Sequence, residues 1–270
     1  MSFIANARMY AVAPEAEAAW RELIARVTED AGVAFDYMPY PAPQPLEDLW
    51  SRGDLGAVQM CGYPIALRMA DVAPLAAPVL ALDWAEGRAA YRSDLIVRKD
   101  APYKTLADTF GGRLGWTVEH SHSGFNALRR HLMNYRTHER PKLYREAIGP
   151  LVTARKILDS VLDGSIDVGP LDGYWHALIA KYKPELTSGV RILESTALAP
   201  APAFVASAGM PAEMIERLRA AFAAASSRDW FPPLGEALLI RGFAPVKQED
   251  FAATLRWDAE AKAANYTFPA

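Results

Sequence analysis

The stretch HSHSGFNALRRHLMNY, residues 120–135, gathers small donors and polar rings at the start of a predicted helix. The first turn of a helix leaves backbone N–H groups unpaired and carries the positive end of the helix dipole. The hydroxyls of Ser121 and Ser123 add donors, and Gly124 has no Cβ to obstruct a ligand. This pattern is typical of a site for an oxyanion such as a phosphate or a carboxylate. A simpler alternative stays open, in which Ser123 only caps its own helix.

Ser121–Gly124 is termed the SHSG loop below. His120 and His122 are spaced so that both rings would point the same way on a strand, which suits a metal. The chain offers no third ligand at a recognised spacing, and its single cysteine, Cys61, rules out a multi-thiolate site. We therefore expect neither a metal nor a cofactor, but one histidine ring that lines the site and one solvated ring.

Composition excludes several function classes. The chain has 270 residues, of which 51% are hydrophobic and 23% charged, with a net charge of −3. Acids and bases are interspersed, so no basic stripe predicts binding to nucleic acid. No run of about 18 apolar residues predicts a membrane span. The start, MSFIANARMYAVAPE, lacks signal-peptide regions. We expect a cytoplasmic protein as the chain is written, or a periplasmic one if a signal has been removed.

Alternating strand and helix patterns predict an α/β fold. Residues Phe3–Tyr10 are predicted to form a short strand followed by a loop. Further strands are predicted for VAFDYMPY and for LGAVQMCGYP, with helices between the strands. The first helix has an apolar face at i, i+3, i+4, i+7 spacing, formed by Trp20, Leu23, Ile24 and Val27. A β-α-β-α-β order over so short a stretch predicts a parallel sheet that is covered on both faces.

A second β-α-β series starts after Lys104 and lies inside the first. We therefore predict an outer lobe of residues 1–96 and 200–270 and an inserted lobe of residues 97–199. The chain would cross between them twice, which makes a double-crossover hinge with a ligand cleft where strand ends face each other. The sheets are expected to be mixed but mostly parallel.

Three ordered segments carry a resemblance, namely YRSDLIVRKDAPYKTLADTFGGRLGWT, SHSGFNALRRHL and TARKILDSVLDGSIDVGPLDGYW. Their Tyr-x-Ser start, Ser-x-Ser-Gly loop and Asp-Val-Gly turn resemble the phosphate/phosphonate-type substrate-binding proteins of ABC transporters. That family has a type II periplasmic-binding-protein fold with two lobes. The resemblance covers about residues 60–270 and is weaker over residues 1–60.

The resemblance implies roles for particular residues. Ser121, His122, Ser123 and Gly124 would receive the oxyanion, with His122 as a charged or neutral donor in place of the usual Thr. Asp172 would contact a ligand amine. From the residues alone, Asp172 could equally cap the helix that follows it.

Three tyrosines are further candidates. Tyr91 would reach the ligand from the hinge side, as the resemblance implies. Tyr10 and Tyr63 lie at predicted strand ends of the outer lobe and would face the cleft. Each of the three could instead fill the edge of the core.

The chain departs from the family pattern at Gly149-Pro150-Leu151, where members often have Gly-(Ser/Thr)-His. Pro150 has no N–H to donate, so donors that a doubly charged phosphonate would use are lost. The departure favours a singly charged or mixed polar ligand. Arg129 and Arg130 are expected on a solvated helix face.

We predict a solute-binding protein that captures a phosphonate-like, phosphate-like or other small oxyanion in an interlobe cleft for ABC-type uptake. Its expected partners are that metabolite and, if it is exported, an ABC permease; a monomer or weak dimer is expected. A cytoplasmic ligand-sensing or effector-binding domain of the same fold stays an alternative. An enzyme related to pyrimidine-precursor synthases is less favoured, because the sequence has no nucleophile elbow, zinc-protease motif or nucleotide fingerprint.

Overall fold

A computed structural model describes residues 3–270. The chain forms two compact units. Unit 1 takes the chain as far as Tyr91 and again Pro200–Ala252, and unit 2 takes Arg92–Ala199 and Ala253–Ala270. The first boundary therefore lies at residue 91 rather than 96, and the chain passes between the units three times rather than twice.

The strands, in chain order, are β1 (Phe3–Asn6), β2 (Phe35–Tyr37), β3 (Leu55–Met60), β4 (Val72–Leu80), β5 (Ala90–Tyr91), β6 (Ser93–Arg98), β7 (Arg113–Gly115), β8 (Glu146–Ile148), β9 (Gly169–Asp172), β10 (Val190–Ser195), β11 (Ala199–Pro200), β12 (Ala203–Ser207) and β13 (Ile240–Pro245). The α-helices are α1 (Pro14–Asp30), α2 (Leu46–Trp50), α3 (Gly62–Ala66), α4 (Ala127–Leu132), α5 (Ala154–Leu162), α6 (Gly173–Tyr182), α7 (Pro184–Thr187), α8 (Ala212–Ala224), α9 (Phe231–Leu238) and α10 (Ala252–Ala263). A π-helical turn, His122–Asn126, comes directly before α4. Short 3₁₀ helices lie at Arg8–Tyr10, Asp83–Ala85, Leu106–Thr109, Met133–Tyr135, Ala225–Ser227 and Gln248–Phe251.

Unit 1 is built on one six-stranded sheet with the order β13-β4-β12-β3-β1-β2. β1 is parallel to β2 and β3, whereas β12 is antiparallel to β3 and β4, and β13 is antiparallel to β4. The sheet is mixed, as predicted, but the expectation of mostly parallel pairing does not hold. The reason is that β12 and β13 come after the chain has returned from unit 2, and they run against the strands that they join.

Helix α1 packs in unit 1 through the apolar face that the sequence predicts. Its residues Trp20, Leu23, Ile24 and Val27 are all buried. Pro14 opens the helix, and acidic residues in the first turn complement the helix dipole. The Trp20 ring meets Phe204 of β12 edge to face, with ring centroids 5.6 Å apart. Each such buried side chain contributes roughly 1.5–3 kcal/mol by leaving water.

Unit 2 contains two small sheets. In the sheet β10-β6-β9, the central strand β6 is antiparallel to both neighbours, and β7 is parallel to β8. Helix α5 packs on β6 and β9, and β9 also contacts the π-helical turn. These strands therefore run directly beside the SHSG loop, which follows β7.

Residues 253–270 complete unit 2 rather than the outer lobe. Arg129, which the sequence analysis places in solvent, is buried and pairs with the Asp258 carboxylate of α10. The Phe268 ring packs edge-on against Trp116 at 4.9 Å and against Phe125 at 5.5 Å. These contacts join residues that are far apart in the chain, so no local pattern reports them.

Two further segments differ from their predictions. Gly62 and Pro64, expected to end a strand, lie inside α3. The strand β13 was not predicted, and it forms one edge of the unit 1 sheet. Within residues 3–270, no helix is both long and apolar enough to span a bilayer.

Candidate functional site

The SHSG loop lies between β7 and α4 in unit 2. Ser121 has an extended backbone (φ −73°, ψ 130°), and its Oγ accepts a hydrogen bond from the Gly124 N–H at 3.0 Å. Ser121 is therefore the N-cap, where the simpler alternative had assigned Ser123. Helical structure starts at His122, with the π-helical turn that precedes α4. Ser123 is half-buried, and its hydroxyl has no capping role.

Gly124 sits where the loop meets the chain that leaves β7. The Thr117 N–H donates to the Gly124 carbonyl at 3.2 Å. A Cβ at position 124 would lie 1.9 Å from the Thr117 Oγ1, far inside van der Waals contact. Glycine is needed at this position because two segments of chain approach so closely.

Ser93 of β6 connects the loop to the central sheet of unit 2. Its Oγ donates to the Ser123 carbonyl at 2.9 Å, and Ser93 pairs with Asp172 across β6 and β9. Ser123 and Asp172 therefore both lie near the edge of the sheet at which β6 begins and β9 ends. The sequence analysis did not select Ser93 as a site residue, although Ser93 is the serine of the Tyr-x-Ser motif.

His122 is buried, and its ring packs beside an aromatic ring of α10. Only 1% of the residue is exposed, and its ring lies 5.2 Å from the Trp257 ring with 30° between their planes. Burial lowers the pKa of His122 to about 3, because the charged imidazolium loses its hydration. His122 is therefore neutral at ordinary pH, so of the charged and neutral donors that the sequence analysis allowed, the neutral one is favoured.

Asp172 caps α6. Its Oδ1 accepts hydrogen bonds from the N–H groups of Tyr174 at 2.9 Å and Trp175 at 3.0 Å. These bonds satisfy donors at the start of that helix. The capping alternative is thus observed, and contact with a ligand amine stays a prediction.

The three candidate tyrosines all belong to unit 1. Tyr10, Tyr63 and Tyr91 are 1%, 5% and 1% exposed, so each side chain is buried. Tyr10 lies in a 3₁₀ helix and Tyr63 in α3, rather than at strand ends. The Tyr91 hydroxyl lies 3.4 Å from the Cys61 Sγ. A ligand site that combines these tyrosines with the SHSG loop stays a prediction.

The Gly149-Pro150 segment packs against an aromatic ring. A Cβ at Gly149 would lie 2.5 Å from Cε2 of Trp116, and the Leu151 N–H donates to the Trp116 carbonyl at 3.0 Å. The Trp116 ring also meets Phe125 of the π-helical turn at 5.5 Å. Since Pro150 has no N–H, the segment contributes ring contact rather than additional donors.

Buried charges behind the loop are neutralised within unit 2. The Asp258 carboxylate pairs with the Arg129 guanidinium and with the Lys262 Nζ, the latter at 2.7 Å. The loop itself therefore offers hydroxyls and backbone amides, without a cationic side chain of its own. Among residues 3–270, no three His, Cys, Asp or Glu side chains are grouped so that they could hold a metal ion.

A buried carboxylate on β6 was missed by the sequence analysis. Asp94 is 3% exposed; its Oδ2 lies 2.9 Å from the His176 Nδ1, and its Oδ1 accepts from the Ser195 Oγ at 2.7 Å. Burial acts to raise the pKa of Asp94, but hydrogen bonds from His176 and Ser195 outweigh it and lower that pKa. This cluster ties α6 and β10 to the strand that supports the loop.

The sequence matches, over residues 10–251, a family described as the periplasmic phosphonate substrate-binding protein of ABC transporters. None of the curated proteins is a significant match to the chain. A binding-protein component of an ABC phosphonate transporter from Pseudomonas aeruginosa is structurally similar, with a TM-score of 0.79 and 15% identity. The similarity covers 98% of this chain and 88% of that one.

Two further solved structures are similar. PhnD1 from Prochlorococcus marinus, in complex with methylphosphonate, has a TM-score of 0.77 at 13% identity and covers 97% of this chain and 98% of its own. A Xanthomonas citri protein bound to ATP has a TM-score of 0.65 at 18% identity, with 98% of each chain covered. At these identities the likeness establishes the fold, so the predicted type II periplasmic-binding-protein fold is confirmed.

The family match also decides between the classes of function that the sequence left open. The family and its phosphonate-transporter neighbours are substrate-binding proteins of transport systems, not enzymes. Because the match spans residues 10–251 of 270, the chain belongs to the family of periplasmic phosphonate substrate-binding proteins of ABC transporters.

Proposed function

We propose that this protein captures a small oxyanion at the SHSG loop and delivers it to an ABC permease. The observation that carries the proposal is the gathering of the Ser121 and Ser123 hydroxyls around the start of the helical segment 122–135. Hydroxyl and amide donors at such a point suit a negatively charged oxygen. The family supports the transport role, and a relative of the same fold is bound to methylphosphonate.

The ligand that we propose is a phosphonate-like or other small oxyanion of low charge. His122 is neutral, and the guanidinium of Arg129 behind the loop is already neutralised by Asp258. A doubly charged ligand gains most from cationic partners, whereas a single charge is accommodated by neutral donors. We further propose that the protein works in the periplasm as a monomer or weak dimer, and that Asp172 and the three tyrosines of unit 1 contact the ligand.

The substitution Ser123→Ala tests the loop. It removes a half-buried hydroxyl that plays no part in the cap, so the fold is expected to keep its stability. We expect the affinity for methylphosphonate, measured by titration calorimetry, to fall by roughly threefold to tenfold, the equivalent of one hydrogen bond. Ser165→Ala, at an exposed serine of unit 2, is the matched control and should leave the affinity unchanged.

Two results would contradict the proposal. One is the absence of binding to methylphosphonate, phosphate, methylsulfonate and acetate alike, which would remove the anion-binding function. The other is full affinity in both Ser121→Ala and Ser123→Ala, which would move the ligand away from the loop.

A further inference from the structure

A series of buried polar contacts lies behind the SHSG loop and is centred on Asn126, the last residue of the π-helical turn. Asn126 is fully buried. Its Nδ2 donates to the Thr254 carbonyl at 2.8 Å and lies 3.3 Å from the His122 Nδ1. Its Oδ1 accepts from the Arg129 Nη2 at 3.3 Å.

The chemistry of these partners fixes the direction of every bond. A guanidinium can only donate and a backbone carbonyl can only accept, so the Asn126 amide has one orientation that satisfies both Arg129 and Thr254. In that orientation the second amide hydrogen of Asn126 is available to His122, and the His122 Nδ1 must be the acceptor. A neutral imidazole that accepts at Nδ1 carries its proton on Nε2.

The groups around Asn126 are ionised on the side of Arg129 and neutral on the side of His122. Arg129 is anchored by the Asp258 carboxylate, which also pairs with Lys262. Across the π-helical turn, β9 ends in Asp172, whose Oδ1 is engaged by backbone amides of α6. The face of His122 toward α10 is occupied by the Trp257 ring.

We propose that Asn126 is a positioning residue that holds His122 as the Nε2–H tautomer against Trp257 and thereby keeps the SHSG loop in its anion-binding conformation. The part about binding rests on the proposed function, whereas the part about the tautomer does not. One consequence is that anion affinity receives no contribution from a titrating histidine in the loop.

The tautomer can be read directly from the imidazole nitrogen resonances of the ¹⁵N-labelled protein. The His122 signals are identified by their loss in His122→Gln. We expect a protonated Nε2 and an unprotonated Nδ1, with no titration between about pH 5 and pH 8. A protonated Nδ1 in the wild-type protein, or titration near the usual histidine pKa, would overturn the inference even if no variant folds.

The substitution Asn126→Asp is expected to reverse the direction of the hydrogen bond between residue 126 and His122. The carboxylate still accepts from Arg129 but offers His122 an acceptor instead of a donor, so the proton should move to Nδ1 or the ring should become charged. Asn134→Asp is the matched control, because Asn134 is exposed on the same helical segment and bonds to Arg130 instead. The control should keep the wild-type protonation of the two His122 ring nitrogens. If Asn126→Asp also leaves that protonation unchanged, the proposed direction of the Asn126–His122 hydrogen bond is refuted.

Calorimetry with methylsulfonate tests the binding part, because this probe stays singly charged across the pH range used. We expect a constant wild-type affinity between about pH 5 and pH 8, a loss of about fivefold or more in Asn126→Asp, and no loss in Asn134→Asp. If the tautomer changes while the affinity does not, Asn126 does not position the loop. If the wild-type protein binds neither methylsulfonate nor methylphosphonate, the proposed function fails and the spectra still decide the tautomer.

Discussion

At the scale of single residues, the loop combines neutral donors with very close packing. Ser121 caps the helical turn, Ser123 keeps a hydroxyl outside the cap, and His122 is buried without charge. Gly124 permits the contact with Thr117 that closes the loop onto the chain after β7. A loop built in this way holds its shape by sterics and hydrogen bonds, so its conformation should change little with pH near neutrality.

Gly124→Ala should disrupt this contact. The new Cβ would overlap the Thr117 Oγ1, and overpacking of this kind typically costs about 1–3 kcal/mol. Chemical denaturation should show that loss, and anion affinity should fall with it. Gly53→Ala, where nothing lies within 4 Å, should leave stability nearly unchanged. Wild-type stability in Gly124→Ala would mean that Thr117 moves aside easily, whereas partial recovery in Gly124→Ala with Thr117→Ala would identify the overlap as the cause.

At the scale of elements, α10 holds the helical segment that carries the loop. The Arg129–Asp258 pair and the bond from Asn126 to the Thr254 carbonyl both cross from one element to the other. Because Arg129 and Asp258 are 3% and 9% exposed, their pairing is protected from solvent screening. The supporting strand β6 is tied in the same way, through Asp94 to His176 and Ser195.

Asp258→Asn should destabilise unit 2 by about 3 kcal/mol at neutral pH, because it leaves Arg129 without its buried partner. Burial acts to raise the pKa of Asp258, but Lys262 and Arg129 outweigh it and lower that pKa. A lowered folded-state pKa means that the stabilisation is complete above the unfolded pKa of about 3.9 and is lost as pH falls through the folded value. Urea unfolding of both proteins should therefore show a constant difference above about pH 5 that narrows in stronger acid.

Glu260→Gln is the matched control for this change. Glu260 pairs with Arg130 between the same two helices, but the two side chains are 49% and 35% exposed to solvent. We expect a change of at most about 1 kcal/mol. Equal effects of the two substitutions would show that burial of the Asp258 pair contributes nothing.

At the scale of the whole molecule, the chain is divided into two units that do not follow its linear order. Unit 2 takes its last residues, 253–270, after the second half of unit 1 is complete. The fold is shared with binding proteins at 13–15% identity, which is possible because burial pattern and topology can persist when most side chains differ.

Removing residues 253–270 should therefore destabilise unit 2 and leave unit 1 folded. The truncation deletes Asp258 and Trp257 and uncovers the Phe125 and Trp116 rings. Hydrogen exchange should show lost protection in β6, β9 and α4, while the six-stranded sheet of unit 1 keeps its protected amides. A loss of protection confined to unit 1 would contradict this division.

The sequence by itself determined most of the helices and strands, the α/β class and the position of the SHSG loop before a helix. Those features depend on local periodicity, on helix-start chemistry and on ordered motifs, all of which can be recognised from residues that are close together in the chain. The apolar face of α1 and the helix after the SHSG loop are examples. The Tyr-x-Ser motif even contained Ser93, although its bond to the Ser123 carbonyl was not foreseen.

Only the tertiary structure decided what depends on partners distant in the chain. The burial of Arg129 requires Asp258, 129 positions later, and the neutral state of His122 requires the shell that includes Trp257 and Asn126. Strand direction in the unit 1 sheet likewise depends on where β12 and β13 re-enter after unit 2. Desolvation and ion pairing act through space, so charge state and unit membership are set by packing and not by sequence proximity.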